Sequence, residues 1–290
     1  MQQSGGLFLG RGKIHWFPIA GCKPVSGNQL FLRKCKSNPS HIECNTMSEW
    51  YFIIALKKSV NYDIVKHKIE VKKGVFHMKF HRIDMDQFPR RKHFEYFSSL
   101  QYPYVGLTSE VDVTELVPFC KERSYSFYLT FMHIVALAAN DVSEFRQRIR
   151  DNGIVEFEKC PTSHIELMDN GTYAYCTLHH DMPLDMYIPY AENARKLCRE
   201  NGKLEEDAQV ESMLFISTVP WLHYTALIQP VAAGEDSNPR ITWGKFQKDC
   251  NGRYQMPVSV LAHHGLVDGI HIAQFYRNLE KYIAATIANR

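Results

Sequence analysis

The sequence predicts an α/β fold, in which a two-layer arrangement of a mixed sheet and flanking helices surrounds the core. Apolar stretches of strand length are interspersed with segments in which apolar residues recur every three or four positions. These segments lack the regular strand–helix–strand alternation that is typical of a fully parallel sheet. With 290 residues, 45% of them hydrophobic, the chain is long enough to bury a substantial core.

The predicted elements follow from periodicity along the chain. Helical spacing of apolar residues predicts helices over residues 90–100, 126–139, 183–201 and 270–285. Thr114 is expected to cap a further short helix that ends at Cys120. Apolar runs of strand length predict strands over residues 105–112, 154–158, 165–168, 173–178, 213–219, 224–229 and 254–262. Asp169-Asn170-Gly171, between two of these strands, predicts a hairpin turn.

Basic residues are concentrated in the first 77 positions. This leader holds 12 Lys and Arg against 4 Asp and Glu, whereas the whole chain carries a net charge of only +3. It also lacks sustained periodicity. We therefore predict a basic extension over residues 1–77, either poorly ordered or not native, followed by one folded domain over residues 78–290. No DNA-reading motif accompanies the basic residues, so we expect no nucleic-acid partner.

Composition excludes several other classes of protein. No apolar run is long enough to span a bilayer, so no membrane partner is predicted. The N-terminus lacks the basic start and apolar core of a secretory signal. The eight cysteines show no CxxC spacing, which is typical of reduced thiols. These features together predict a cytoplasmic protein.

The most informative motif is the HHxxxDG sequence at residues 263–269. It follows a predicted buried strand and precedes the predicted last helix, which places an imidazole at a strand end. An imidazole with a pKa near ~6.5 is well suited to remove a proton at neutral pH. Asp268 lies four residues after His264, where a carboxylate could orient a base, hold the turn through an ion pair or cap the helix.

The residues alone leave two other interpretations open. In the first, both histidines are satisfied by backbone groups and Asp268 is only a helix cap. In the second, four side chains hold a metal ion: His263, His264, Asp268 and His271. Adjacent side chains on a strand point to opposite faces, so His263 and His264 would not converge, and we predict no metal. A second pair, in His179-His180-Asp181, is expected to face solvent.

Taken with its surroundings, the motif resembles the chloramphenicol acetyltransferase family, from Met78 to about Ala285. Residues 90–97, 125–136, 144–146 and 215–221 resemble the family's opening helix, its second helix, the end of that helix and its serine-bearing strand. The resemblance implies a coenzyme A-dependent acyltransferase fold, with acetyl-CoA as co-substrate and no permanently bound cofactor. It implies acetyl transfer to a hydroxyl of a small acceptor, foremost chloramphenicol, and hence antibiotic resistance. It also implies a homotrimer in which His264 faces an acceptor pocket built largely by the neighbouring subunit.

The same resemblance assigns roles to individual residues. His264 would be the general base, and Ser217 would donate a hydrogen bond to the oxyanion. Asp268 and Arg90 would form a largely buried ion pair with two parallel bonds that holds the active-site turn. The resemblance further assigns acceptor contacts to Phe97, Gln101, Val105 and Thr242, the last of which would hold a water, and a coenzyme contact to Lys245. Trp221, after Pro220, is expected to pack near the mouth of the site and to bind the coenzyme there.

Some positions depart from the family's pattern. Phe97 stands where the family has a tyrosine, so a hydroxyl donor is lost. Gln101, Tyr104, Val105 and Gln229 stand where the family's pocket is mostly apolar and differently shaped. Because a change of polar groups can change substrate preference by orders of magnitude, two alternatives stay open. One is an acetyltransferase for a different hydroxyl or amine, and the other is a catalytically silent ligand-binding relative.

Overall fold

The computed structural model describes residues 8–10, 13–15, 79–168, 170–201, 209–232 and 236–288. The chain divides into two compact units, Met1–Phe76 and His77–Arg290. In the first unit, strands β1 (Phe8–Gly10) and β2 (Lys13–His15) pair antiparallel. The rest of the predicted basic extension, with Met78, lies outside the described residues, so the prediction about residues 1–77 stays a prediction.

The second unit contains both helices and strands, without regular alternation between them. Its helices are α1 (Arg91–Ser98), α2 (Leu116–Glu122), α3 (Phe127–Asn140), α4 (Leu184–Asn201) and α5 (Gly269–Ala288). Its strands are β3 (Phe80–Arg82), β4 (Tyr104–Asp112), β5 (Gln147–Arg150), β6 (Gly153–Phe157), β7 (Thr162–Leu167), β8 (Tyr173–Leu178), β9 (Leu214–Val219), β10 (Arg240–Gly244), β11 (Gln247–Lys248) and β12 (Tyr254–His263). None of the described helices combines the length and the apolar character needed to cross a membrane.

The main sheet is mixed, as predicted. Its strands lie in the order β8–β7–β9–β10–β12–β4, and the short β11 pairs with the start of β12. The neighbours β7 and β9, and β9 and β10, run parallel, whereas the other pairs are antiparallel. Strands β3, β6 and β5 form a second, three-stranded antiparallel sheet.

One face of the main sheet is covered by helices and the other is not. Helix α3 begins after its N-cap Ser126, is buried over nearly its whole length and packs against α5. In β7, His164 and Glu166 point to the helix side and are buried, whereas Ile165 is 44% exposed. We call the uncovered side, which carries Ile165 and Ser217, the open face.

Two local predictions are wrong and a third is confirmed. Residues 224–229 form no strand, because the place beside β9 is taken by β10, a strand that the sequence did not predict. Residues 224–229 instead form an irregular segment. Thr114 does not cap α2, whose N-cap is Glu115, because its hydroxyl accepts a hydrogen bond from the Tyr254 N–H at 2.9 Å. The hairpin turn is confirmed, since β7 and β8 pair around Gly171, which has a φ of 80°.

Candidate active site

Residues 263–268 form a hydrogen-bonded turn between β12 and α5, which we call the histidine turn. The His264 N–H donates to the Pro103 carbonyl at 2.7 Å, which ties the turn to the start of β4. Within the turn, the N–H groups of Leu266 and Val267 both donate to the His263 carbonyl, at 3.0 and 2.9 Å. Backbone hydrogen bonds, within the turn and to Pro103, therefore fix the conformation of this segment independently of its side chains.

The imidazole of His264 is oriented by two contacts. Its Nδ1 lies 3.0 Å from the Val267 carbonyl oxygen, and its ring stacks on Phe97 with centroids 3.8 Å apart and planes at 22°. Because a carbonyl oxygen can only accept, Nδ1 carries a proton, so that in the neutral ring Nε2 is the nitrogen with the lone pair. This half-buried ring is thus held in the tautomer that a general base requires.

His263 is placed differently from its neighbour. Its side chain is 4% exposed, and its Nδ1 accepts a hydrogen bond from the Gly265 N–H at 3.1 Å. Burial, helped by the nearby His264, lowers the pKa of His263 to about 4. A neutral imidazole whose Nδ1 is bonded to the backbone serves the turn rather than proton transfer.

Arg90 fastens the histidine turn mainly through backbone carbonyls. Its Nη1 donates to the Leu266 carbonyl at 2.5 Å and its Nη2 to the His264 carbonyl at 3.3 Å. The contact with Asp268 is a single one of 3.5 Å, and the Asp268 side chain is 47% exposed. The expected buried pair with two parallel bonds is therefore not what the structure contains. A guanidinium that binds several groups of one turn takes its place.

Asp268 also caps α5. Its Oδ1 accepts a hydrogen bond from the Gly269 N–H at 2.6 Å, which together with Arg90 lowers the pKa of this carboxyl. In return, the Asp268 N–H donates to Nδ1 of His271 at 2.9 Å, and Nε2 of His271 faces Glu144 at 3.6 Å. The bond to His271 is the return half of a capping box with His in the place of Glu, whereas the His271 N–H donates to the Asp268 backbone carbonyl at 3.0 Å rather than to its side chain. The cap and the ion pair, read from the sequence as alternatives, occur together.

Two of the four side chains considered as metal ligands already accept backbone hydrogen bonds. Nδ1 of both His263 and His271 accepts a backbone N–H. Across the part of the chain that the structure describes, no group of three or more His, Cys, Asp or Glu side chains is arranged to hold a metal ion.

Ser217 lies on the open face, in a row of four hydroxyl side chains that crosses the sheet. Strand register places them side by side: Ser217 on β9, Thr242 on β10, Ser259 on β12 and Thr108 on β4. Thr108 and Ser259 hydrogen-bond at 2.7 Å, and Ser259 also donates to the Tyr224 hydroxyl at 3.2 Å. The Thr242 hydroxyl is buried and has no hydrogen-bond partner among the described residues. It is thus free to bind a water or a ligand.

A cavity of about 380 Å³ covers this end of the row. Its floor is the open face around Ile165, Phe215 and Ser217, and its opposite wall is the segment 227–230 after β9. Thr242 also lines it. The cavity is within the size range of small-molecule sites.

Within one chain, the histidine turn and Ser217 do not meet. Ser217 shares a row with Ser259, and His264 lies five residues beyond Ser259 along β12. With about 3.3 Å per residue and about 4.8 Å between strands, the two residues are roughly 19 Å apart. A hydrogen bond needs about 3 Å. A base at His264 and an oxyanion donor at Ser217 of the same chain therefore cannot act on one substrate.

The remaining predicted site residues are divided between these two places. Trp221 and Lys245 share the rim beyond the ends of β9 and β10, where the Lys245 N–H donates to the Leu222 carbonyl at 2.8 Å. Gly244 permits this approach, since a Cβ there would lie 2.7 Å from the same carbonyl oxygen. Trp221 is 71% exposed.

On the other side, Gln101 lines a second cavity, of about 620 Å³, together with His263. Val105 packs against the hydrophobic core.

Two structural features were not found by sequence reasoning. Tyr224, whose hydroxyl donates to the Thr242 carbonyl at 2.9 Å, lies in a segment predicted as a strand. His180, expected to face solvent, is buried, and its pKa is lowered to about 3 by burial. The His180 backbone carbonyl lies 3.2 Å from Nε2 of His133 on α3. No local sequence pattern indicates this contact.

The fold and the turn together define the class of protein: an enzyme of the acyltransferase type. A solved chloramphenicol acetyltransferase matches the structure with a TM-score of 0.62 and 25% identity, over 71% of this chain and 100% of that one. A probable dihydrolipoamide acetyltransferase from Listeria monocytogenes shares the fold, with a TM-score of 0.51 and 13% identity over 69% of this chain and 93% of its own.

The chain belongs to the chloramphenicol acetyltransferase family, whose model matches residues 78–280. Chloramphenicol acetyltransferase 3 of Escherichia coli is 26% identical over 207 residues, which are 70% of this chain and 97% of that protein. A chloramphenicol acetyltransferase of a Klebsiella species is 28% identical over 204 residues, or 69% and 92% of the two chains. The predicted family, fold and enzyme class are confirmed, whereas the roles of individual residues stay predictions.

Proposed function

We propose that this protein transfers the acetyl group of acetyl-CoA to a hydroxyl of chloramphenicol, with His264 as the general base. The observation that carries the proposal is the orientation of His264. Its Nδ1 proton is committed to the Val267 carbonyl and its ring is stacked on Phe97, so that Nε2 is left as a base. The relatives named after chloramphenicol supply the acceptor.

The reaction follows from this tautomer. Nε2 of His264 removes the proton of the acceptor hydroxyl while its oxygen attacks the thioester carbonyl, and the carbonyl oxygen takes the negative charge. A hydroxyl donor at Ser217 stabilises this oxyanion, a role that elsewhere contributes about 3–4 kcal/mol. When the carbon–sulfur bond breaks, the proton returns from Nε2 to the leaving sulfur, and the products are an acetyl ester and free coenzyme A. General-base assistance of this kind contributes about 10²–10⁴ in rate.

The same proposal requires a second copy of the chain. Since His264 and Ser217 of one chain lie roughly 19 Å apart by strand spacing, the base of one copy must face the open face of another. The uncovered apolar side chains there, such as Ile165 and Leu167, suit burial against a neighbour. We infer the homotrimer that the family resemblance implies. A cytoplasmic location is consistent with the five free thiols among the described cysteines.

Release of free coenzyme A thiol from acetyl-CoA, with and without chloramphenicol, tests the reaction. We expect release that depends on chloramphenicol and is lost in His264→Ala, while His263→Asn, if it folds, retains turnover. Release with another alcohol or an amine, but not with chloramphenicol, would keep the mechanism and replace the acceptor. Silence with every acceptor would instead favour a ligand-binding protein.

Mixing two inactive variants tests the divided site. His264→Ala lacks the base and Ser217→Ala lacks the donor, but a trimer that contains both has interfaces at which an intact base meets an intact donor. Random mixing in equal amounts should restore about a quarter of the wild-type activity, since one interface in four then pairs two intact halves. If both residues acted within one chain, the mixture would stay as inactive as its components.

A further inference from the structure

The cavity over Ser217 contains a polar group that the proposed reaction does not use. The side chain of Gln229 lines this cavity, and its Nε2 is buried with no hydrogen-bond partner among the described residues. The neighbouring Ile228 is 92% exposed. The segment therefore buries an amide nitrogen and leaves an apolar side chain exposed, the reverse of what solvation alone would favour.

The surroundings of Gln229 define what it can bind. Ile165, Phe215, Leu227 and Pro230 make the cavity wall mainly apolar. Arg240, which also lines the cavity, is bonded through both of its terminal nitrogens to Asp236 and is mostly buried. Because this positive charge is already paired, the described lining residues offer no free cation to an anionic ligand. It suits a neutral, partly apolar molecule.

We propose that Gln229 selects acceptors that carry a second oxygen, such as an amide or ketone carbonyl, in addition to the hydroxyl that is acetylated. An amide NH₂ can only donate, so its partner must be an acceptor atom. A buried donor without a partner is unfavourable. A ligand oxygen at Gln229 removes that cost, while a ligand with a methylene there leaves it in place. Preference between the two arises from this difference.

The inference rests on the proposed acetyl transfer, and matched substrates test it. N-acyl amino alcohols of increasing chain length are compared with alcohols in which the amide is replaced by a trans-alkene of the same shape. For the chain length that fits, wild-type protein should favour the amide in kcat/KM by about tenfold to a hundredfold. In Gln229→Leu, which keeps the approximate volume, this preference should vanish while turnover of the alkene is retained. Gln87→Leu, at an exposed position that lines neither cavity, is the matched control and should retain the preference.

Binding keeps this test separate from the proposed function. If wild-type protein acetylates nothing, calorimetric binding of the same amide and alkene pair to wild type and Gln229→Leu replaces kinetics, with the same expected loss of preference. An unchanged preference in Gln229→Leu overturns the inference. The sedimentation coefficient of Gln229→Leu then shows the reason. If it changes while the preference does not, the Gln229 amide belongs to a contact between copies and not to ligand binding.

Discussion

The histidine turn is bonded from several sides, whereas the open face around Ser217 leaves polar atoms without partners among the described residues. Arg90, Phe97 and the Val267 carbonyl all hold the turn in place. By contrast, Thr242 Oγ1 and Gln229 Nε2 are buried and unpaired. The contrast shows that one chain orients its proposed general base through its own contacts. The polar groups around Ser217, by contrast, need a ligand or another copy of the chain to complete their hydrogen bonds.

The largest expected effect is a loss of activity, with little loss of stability, when His264 is replaced. His264→Ala should lower kcat by about 10²–10⁴. It should cost at most about 1 kcal/mol of unfolding free energy, since the lost hydrogen bond is a partly exposed one. Steady-state kinetics and urea unfolding measure the two quantities. A His264→Ala protein with near wild-type kcat would remove this residue from the reaction.

A second comparison tests what Arg90 does. Arg90→Lys keeps the charge but cannot bind two carbonyls and Asp268 at once, so we expect a loss of about 1–3 kcal/mol and a clear fall in kcat. Asp268→Asn removes the charge but keeps an acceptor for the Gly269 N–H, and should be milder in both measurements. Equal damage from the two variants would mean that the ion pair, rather than the carbonyl contacts, holds the turn.

The pH dependence of stability comes third. Burial lowers the pKa of His271 and that of His263, the latter to about 4. The unfolded chain therefore takes up protons first as the pH falls below about 6.5, so stability is lost progressively from there towards pH 4. His271→Asn keeps an acceptor for the Asp268 N–H but does not titrate. Its unfolding free energy should fall less between pH 7.5 and 5, at roughly one proton less of slope.

Unfolding of both proteins at several pH values measures this difference. His81→Asn, outside the turn, is the control and should follow the wild-type curve. Parallel curves for wild type and His271→Asn would show that His271 is not held neutral by the turn.

The smallest effect on stability is expected at the rim. Trp221 is 71% exposed, so Trp221→Ala should change the unfolding free energy by no more than about 0.5 kcal/mol. If the rim binds coenzyme, KM for acetyl-CoA should nevertheless rise, with kcat much less affected. Unchanged KM in both Trp221→Ala and Lys245→Gln would remove the coenzyme from this rim.

Sequence reasoning worked where the signal was local. The apolar helix at Phe127–Asn140, the strand before the paired histidines and the turn at Gly171 each follow from their own residues. It failed for residues 224–229, whose composition is typical of a strand. Pairing with β9 depends on the tertiary fold, which places β10 there instead. The 19 Å gap between the two predicted catalytic residues was likewise invisible, since register across three strands decides it.

The distance between the base and the donor has a consequence for how such an enzyme diverges. Substitutions on the open face, such as a glutamine in an apolar pocket, leave the bonds that orient His264 in the same chain untouched. Acceptor preference and proton transfer can therefore change one at a time, because within one chain the two surfaces do not share packing. A chain arranged in this way can explore new acceptors while its chemistry is inherited intact.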